Sequence, residues 1–406
     1  METREAKAPG TSLAEKITAW RAEAAAVIGR HGLRRLEGNT LNKRPELTRL
    51  SDVAVEEIAD RVLTVVSDEK ATWTKWNLVA ETERQLRSYR FHSPADRDTV
   101  TNLVVARAVD PDVSVRLTIE GTAVDPPELR RASGESVFTQ HGATRYTTQA
   151  LLDAEQRLLT TAGQPTRYGL TRSDLTGLIG SFERRYDIQL DAGQRALVHG
   201  FAGDPRRLVV GIGPAGAGKT TAMRAVAAAW TTTGRRVVAL APSSAAADVL
   251  TGELGCRAEN LHKFQHAHEN GHAADDPWFT LHAGDLVLVD EAGMAGTKRL
   301  DWLATYARER GAVIRLLGDP AQMSAVEAGG ALRLLVHDVG AVALTDLHRF
   351  HEPAEAAASL GLRDGDPGAL DFYFSRDRVS SGAADSLREA AYEAWARMST
   401  AAWPAC

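Results

Sequence analysis

The sequence predicts an α/β fold, in which helices cover both faces of a parallel sheet and a mainly helical region precedes it. Three observations carry that expectation. From about residue 188, short apolar runs alternate with helical patterns, the rhythm of βαβ units with a buried sheet. The first of these runs, RRLVVGIG, passes directly into a glycine-rich loop and then a helix. Upstream of residue 145, apolar residues recur mainly at three- and four-residue spacing, the period of an amphipathic helix.

Taken in order, SLAEKITAWRAEAAAVIGRHG and SDVAVEEIADRVLTVV each begin at a serine and keep the helical period. TWTKWNLVAETERQLRSY continues it, with Trp73, Trp76, Val79 and Ala80 expected on one side and Glu83, Arg84 and Arg87 among the polar remainder. SPADRDTVTNLVVARAVD opens on Ser93 and Pro94, a cap and a first-turn proline. Then the period changes. VSVRLTIEG, Val113 to Gly121, alternates, and SVFTQHGATRYTT, Ser136 to Thr148, reads as two strands around His141-Gly142. Helices followed by a hairpin suggest either a winged-helix-like unit of the kind that touches DNA or a helical scaffold with a surface hairpin.

TTQALLDAEQRLLTTAG is a further helix ending at Gly163. Beyond it RRLVVGIG, RRVVALAP, DLVLVDEAG, AVIRLLGDP and AVALTDL read as five strands. KTTAMRAVAAAW, SSAAADVLTGEL and TKRLDWLATYARER read as helices between them. Ligands of such sheets bind where the strands end, and each motif described below falls at a strand end. The expected division is residues 1–145, mainly helical with a β-hairpin; 146–345, the α/β domain; and 346–406, the start of another domain.

Bulk properties bound the function classes. The 406 residues have room for two or three domains, and the 44% hydrophobic and 25% charged content is that of a globular protein. A net charge of -5 gives no global signal for nucleic acid, although a local groove can still be basic. Arginine far outnumbers lysine and alanine is abundant, first read as coding bias and second as an arginine-rich surface. Two cysteines, Cys256 and Cys406, cannot build a disulfide framework. The N-terminal METREAKAPG lacks an apolar stretch, and no window approaches the ~20 apolar residues that span a bilayer. The expectation is a cytoplasmic protein without membrane insertion.

The chemistry concentrates in three strand-to-turn junctions. Gly213 to Thr220 reads G-x-x-x-x-G-K-T, a loop whose backbone N–H groups converge on phosphate oxygens because glycine tolerates the required dihedrals. The expected nucleotide contacts are Gly213, Pro214, Ala215, Gly216, Ala217, Gly218, Lys219, Thr220 and Thr221. Lys219 would reach the β- and γ-phosphates of ATP, and the Thr220 hydroxyl would ligate Mg²⁺. Only eight lysines occur in the chain, none between Lys75 and Lys219, which argues against a chance glycine-rich turn. LVLVDEAGM, Leu286 to Met294, ends an apolar strand in two acids. Asp290 would hold the metal, and Glu291 would orient and deprotonate the attacking water. LLGDPAQM, Leu316 to Met323, presents Asp319 and Gln322; a glutamine there can sense a γ-phosphate through its amide.

GPAGAGKT, VDEAGM, GDPAQ and LTDLHRF resemble successive motifs of a RecD-like superfamily 1 DNA helicase. More narrowly, residues from about Arg145 to Arg378 are similar to the helicase part of MobF-type conjugative relaxases. The similarity includes YTTQALLDAEQRLL, QLDAGQRALVHGF, APSSAAADVL, ENLHKFQ and RFHEPAEAAASLGLRDGDPGALDFY, and TWTKWNLVAETERQLR resembles the region between nickase and motor. The resemblance implies a RecA-like ATP-binding domain followed by an incomplete second RecA-like domain. By the same resemblance, Gln194 would bind adenine and Arg349 would reach the γ-phosphate. Pro242, Ser243, His262 and Lys263 would contact single-stranded DNA. Other readings are a polar helix-face residue for Gln194, a surface arginine for Arg349, tight helix packing for the alanines and a capping role for His262.

The family's nickase carries a tyrosine nucleophile and a three-histidine cluster, and neither is expected here because the twelve histidines are scattered. After Arg349 there are 57 residues, fewer than the ~100 of a compact domain, so a motor truncated at both ends is the expectation. The leading reading is therefore an ATP-dependent motor domain acting on single-stranded DNA, with the rest of a split relaxase or the conjugation machinery as partners. A second reading is a non-catalytic DNA-binding or interaction module that keeps the nucleotide fold. A small-molecule P-loop enzyme is disfavoured, because such enzymes usually lack the succession VDEAGM, GDPAQ, LHRF.

Overall fold

The computed structural model describes residues 12–40, 48–49, 53–117, 126–131, 137, 144–322, 327–350 and 352–401. The chain divides into two compact units, Met1–Leu63 with Trp76–Ala108, and Thr64–Lys75 with Val109–Cys406.

Four helices begin the chain: α1 (Leu13–Thr40), α2 (Val55–Glu69), α3 (Lys75–Gln85) and α4 (Pro94–Ala108). Helix α1 opens on a reciprocal cap. Ser12 Oγ accepts the Glu15 amide at 3.3 Å, and Glu15 takes the Ser12 amide at 2.8 Å. It kinks at Gly29, whose φ of 72° lies outside helical space. Ser93 caps α4 through the Asp96 amide at 3.1 Å, with Pro94 as the first helical residue, as the sequence predicts. In the smaller unit Ile58, Val62, Leu78, Leu86, Val100, Val104 and Ala108 are fully buried.

The buried face of α3 differs from the expected one. Trp76 is 56% exposed, while Leu78, Glu81 and Thr82 face inward. Glu81 is buried, its charge paired with Arg84 and its Oε1 accepting a hydrogen bond from the Gln85 side-chain amide at 2.7 Å, so a carboxylate occupies a position that apolar periodicity assigns to the surface.

In the larger unit Trp73 is fully buried and pairs its backbone with Tyr146. The alternating segments supply β1 (Val115–Arg116) and β2 (Tyr146–Thr147), which pair antiparallel with Val115 opposite Thr147. The turn at His141-Gly142 lies outside the described residues. Helices α5 (Gln149–Gly163), α6 (Arg172–Tyr186) and α7 (Ala192–Val198) lead into the sheet, the last continuing as one π-turn over His199–Gly203.

The sheet elements follow in order: β3 (Leu208–Ile212), α8 (Lys219–Thr231), β4 (Val237–Ala241), α9 (Ser244–Leu254), β5 (Ala258–Asn260), α10 (Leu261–Glu269), β6 (Leu286–Val289), α11 (Thr297–Arg310), β7 (Val313–Gly318), α12 (Ala331–Val339) and β8 (Val342–Ala343). Helices α13 (Pro353–Arg363), α14 (Leu370–Phe374) and α15 (Ala384–Ala401) complete the described chain. The six strands run in the order β5-β4-β6-β7-β3-β8, and every pair is parallel.

Alternation along each strand builds two cores. Val209, Val237, Ala239, Leu286, Leu288, Val313 and Leu317 face one way with α6 to α9, and Val210, Val238, Leu240, Val287, Val289, Ile314 and Leu316 face the other with α5, α10, α11 and α12. Strands β3, β4, β6 and β7 are therefore apolar apart from Arg315, as a sheet covered on both faces requires. The five expected strands all form. The sixth, Ala258–Asn260, has three residues and two polar side chains, too short and too polar for the pattern to register.

Arg315 is the exception within the sheet. It is fully buried on β7, and its guanidinium donates to the carbonyls of Phe201, Asp204, Arg206, Arg207 and Ile314 at 2.5–3.3 Å. Burial pulls its pKa down to about 9. The side chain thus satisfies carbonyls that the π-turn and the loop after it leave without helical partners.

Candidate nucleotide site

The strand order places the ends of β3, β7 and β6 side by side, so three turns meet at one edge. The Gly213 amide donates to the Gly318 carbonyl at 3.1 Å, tying the start of the glycine loop to the end of β7. At Gly318 a Cβ would stand 3.1–3.2 Å from the amides of Gly293 and Ala292, so the VDEAG and GDPAQ turns can approach only because that position is glycine. Within the loop Gly216 and Gly218 take φ of +86° and +70°, left-handed values that L-residues avoid. Helix α8 follows Gly218, its N-cap residue, which supplies no side-chain cap. Its first-turn N–H groups, from Lys219, Thr220 and Thr221, have no intrahelical acceptors and form an anion-binding end.

Lys219 is buried at 9% exposure, and its ammonium pairs with Glu291 Oε1 at 3.0 Å. Glu291 itself sits in left-handed space, φ 47° and ψ 42°, the backbone bend that turns β6 into the next helical turn. Asp290 accepts the Glu291 amide at 2.9 Å. Burial, reinforced by the Glu291 carboxylate, raises its pKa to about 6 against the opposing pull of the Glu291 amide and Lys219. Two acids crowded beside one lysine fit a divalent cation, which would favour the ionised Asp290. The half-buried Thr220 at the start of α8 is the hydroxyl expected to share it.

On the other flank of the loop, Asp191 and Gln194 form a capping box at the start of α7. Asp191 Oδ1 accepts the Gln194 amide at 2.7 Å, and Gln194 Oε1 accepts the Asp191 amide at 3.0 Å. The Gln194 carboxamide also donates to the Gly218 carbonyl at 3.3 Å, so it touches the loop directly and keeps one N–H for a base. After β8 the chain crosses over the loop. The His348 amide donates to the Gly216 carbonyl at 2.8 Å, and its ring Nε2 lies 2.7 Å from Asp191 Oδ2. A Cβ added at Gly216 would stand 2.7 Å from Arg349 Cβ, which puts Arg349 directly against the loop.

The third turn is organised differently. Asp319 is buried and accepts the Ala321 amide at 3.0 Å, with Arg363 from α13 clamping both of its oxygens at 2.6 and 3.2 Å. Burial works against its charge, but Arg363 and the Ala321 amide outweigh that and hold the carboxyl below the usual aspartate range. Gln322 donates to Asp319 at 3.3 Å. It lines a cavity of about 240 Å³ with Gly293, Asp319, Glu327 and Arg333, and no residue of the glycine loop lines that cavity.

Three of the four expected strand contacts are also brought together. Pro242, Ser243 and His262 line one cavity of about 240 Å³ with Asn260, Met294 and Arg299. Ser243 caps α9 through the Ala246 amide at 3.2 Å, and Asn260 caps α10 through the His262 amide at 2.7 Å, so two helix N-termini open onto it. Arg299 pairs with Glu327 at 2.5 Å, and its buried Nη1 has no hydrogen-bond partner among the described residues. Lys263 does not line this cavity; its ammonium is 2.9 Å from both Glu259 oxygens.

Sequence reasoning missed Asp191, His348, Arg299 and Arg363. Asp191 carried a usable signal, since Asp-x-x-Gln before a helix is a capping-box pattern. Arg363 carried none, because it meets Asp319 from 44 residues away.

Residues 189–384 match a family model described as an AAA domain. The chain is 32% identical over 238 residues to the conjugal transfer protein TraA of Rhizobium radiobacter, which covers 58% of this chain and 21% of that protein. It is 30% identical over 260 residues to the conjugal transfer protein TraA of Agrobacterium fabrum, covering 62% of this chain and 22% of that one. A shorter stretch of 88 residues is 36% identical to the RecBCD enzyme subunit RecD of Mycolicibacterium smegmatis, 21% of this chain and 16% of that subunit. The chain thus spans about a fifth of the length of the curated conjugal transfer relatives it matches. These matches bear out the resemblance to the RecD-like P-loop region of conjugative relaxases. Among the described residues, no helix is long and apolar enough to cross a membrane.

Proposed function

With an AAA domain of the conjugal transfer type as premise, we propose that this chain binds and hydrolyses ATP as the motor domain of a DNA helicase, and that single-stranded DNA stimulates it. One observation carries the reading. The uncapped first turn of α8 is bracketed by Lys219 paired with Glu291 on one side and by Gln194 and Arg349 on the other. A phosphate chain laid on that turn would meet a cation, a base and an arginine from three separate strand ends.

The roles follow from the chemistry. Residues Gly213 to Thr221 receive the phosphates on backbone N–H groups, and Lys219 exchanges Glu291 for a phosphate oxygen. Freed from the lysine, Glu291 orients a water and takes its proton. Thr220 and Asp290 would hold Mg²⁺, which supplies charge neutralisation at the β- and γ-phosphates. Arg349 opposes charge developing on the transferred group, and such arginines contribute on the order of 10³-fold or more to rate. Gln194 directs its remaining N–H to adenine, and Gln322 reports the nucleotide state through Asp319. The cavity of Pro242, Ser243 and His262 receives the DNA backbone at the N-termini of α9 and α10.

Steady-state ATP hydrolysis with and without single-stranded DNA tests this, using Lys219→Ala and Glu291→Gln as controls. DNA-stimulated turnover lost in both variants is the expected result. DNA binding with no turnover in any of the three proteins would instead establish a non-catalytic binding module.

A further inference from the structure

Resting on the ATPase reading above, we infer that His348 is a positioning residue that acts through Arg349, with Asp191 as its anchor. The arrangement is a clasp across the glycine loop. Asp191 uses its two carboxylate oxygens on different elements. Oδ1 caps α7 through the Gln194 amide at 2.7 Å, and Oδ2 meets His348 Nε2 at 2.7 Å. His348 in turn donates its amide to Gly216 at 2.8 Å, and its ring packs over Gly218, where a Cβ would stand 3.3 Å from Cδ2. One histidine therefore fixes the backbone immediately before Arg349 at two points, one on the loop and one on the helix cap beside it.

Arg349 needs that support. It is exposed, and among the described residues its guanidinium makes no hydrogen bond or ion pair. It follows β8, which has only two residues and pairs with β3 alone, so the sheet ends six residues before it. A long side chain on such a segment has many rotamers, and delivery of its charge to one phosphate oxygen depends on where its Cα is held. The clasp holds it. Release of His348 would leave the loop's glycines, Lys219 and Glu291 in place while Arg349 samples a wider arc, and misplacement by about 1 Å at such a position costs on the order of 10²-fold in rate.

The test compares His348→Ala, His348→Gln, Arg349→Ala and the double variant His348→Ala/Arg349→Ala of the full chain. Turnover, nucleotide affinity with a fluorescent ATP analogue, and the initial rate of tryptic cleavage after Arg349 are read for each. Expected for His348→Ala is a fall in kcat between ~10-fold and ~100-fold with nucleotide affinity within ~3-fold, and cleavage after Arg349 several-fold faster. His348→Gln, whose amide can still donate to Asp191, should recover most of both. In the double variant the losses should not add, since both act on one group. Additive losses, or a loss of affinity that matches the loss of kcat, would assign His348 a role of its own and overturn the inference. Absence of turnover in the parent chain overturns the ATPase reading instead. In that case unchanged tryptic cleavage in His348→Ala overturns the clasp, and accelerated cleavage upholds it.

Discussion

Replacement of Asp290 by asparagine should stabilise the nucleotide-free protein while it removes function. The Asp290 carboxyl is raised from 3.8 to about 6 by burial and by the neighbouring Glu291 carboxylate. Its folded pKa therefore lies above its unfolded one, so the folded state takes up the proton more readily. Stability must fall as pH rises from about 4 to about 6, and it stays reduced at all higher pH. A displacement of about two pH units, at ~1.4 kcal/mol per unit, amounts to roughly 3 kcal/mol of native-state strain at neutral pH. Asparagine cannot ionise, yet its Oδ1 can still accept the Glu291 amide that Asp290 accepts at 2.9 Å. Asp290→Asn should therefore melt several degrees above the parent at pH 8 and converge with it near pH 4. Differential scanning calorimetry across that range measures both. Addition of Mg²⁺ and ATP should reverse the order, because only the parent offers a carboxylate to the cation. Equal melting temperatures at pH 8, or a parent whose stability is flat from pH 4 to 6, would refute the claim that a cation site is built in as strain.

Three other expectations follow from the same geometry. Gly216→Ala forces a φ of +86° on an L-residue and sets a Cβ 2.7 Å from Arg349 Cβ; at ~1–2 kcal/mol for the backbone alone, titration with a fluorescent nucleotide should show affinity down by about 10-fold or more, and unchanged affinity would show that the loop rearranges freely. Arg315→Met removes the guanidinium from five carbonyls around β7 and the π-turn, of which Arg207 keeps the Ile314 amide, so urea unfolding should show a loss of ~2–4 kcal/mol, whereas a neutral result would mean that relief of the buried charge balances those bonds. Arg363→Ala leaves Asp319 buried without its clamp. Since Asp319 is held below its usual pKa, the pair stabilises at neutral pH and its contribution is lost only as pH falls below ~3.9. The difference between parent and variant in acid unfolding should thus vanish at low pH, and a difference that persists there would point to packing by the arginine stem instead.

Most of the fold was legible because its signals are local. Pro94 and Ser93 mark the start of α4 by chemistry that acts within one turn. Apolar runs marked β3, β4, β6 and β7, broken only by Arg315 in β7, since a strand buried on both faces admits almost no polar residue. The failures have equally definite causes. Strand β5 is held by pairing with β4 and not by its own composition. The outward Trp76 and inward Glu81 of α3 reflect partners for the carboxylate that hydropathy does not count.

By itself the sequence determined the succession of strand-end motifs, and with it a glycine loop of the phosphate-cradling pattern, the acids that follow β6 and the arginine after β8. Each of these is specified within a window of about ten residues, where backbone geometry and side-chain type suffice. Only the tertiary structure decided how they meet. Lys219 faces Glu291 across 72 residues, Arg363 reaches Asp319 across 44, and His348 closes on Asp191 across 157. Those pairings depend on which strands lie next to which, and strand order is fixed by the burial of two hydrophobic faces at once, a property of the whole sheet that no single segment encodes.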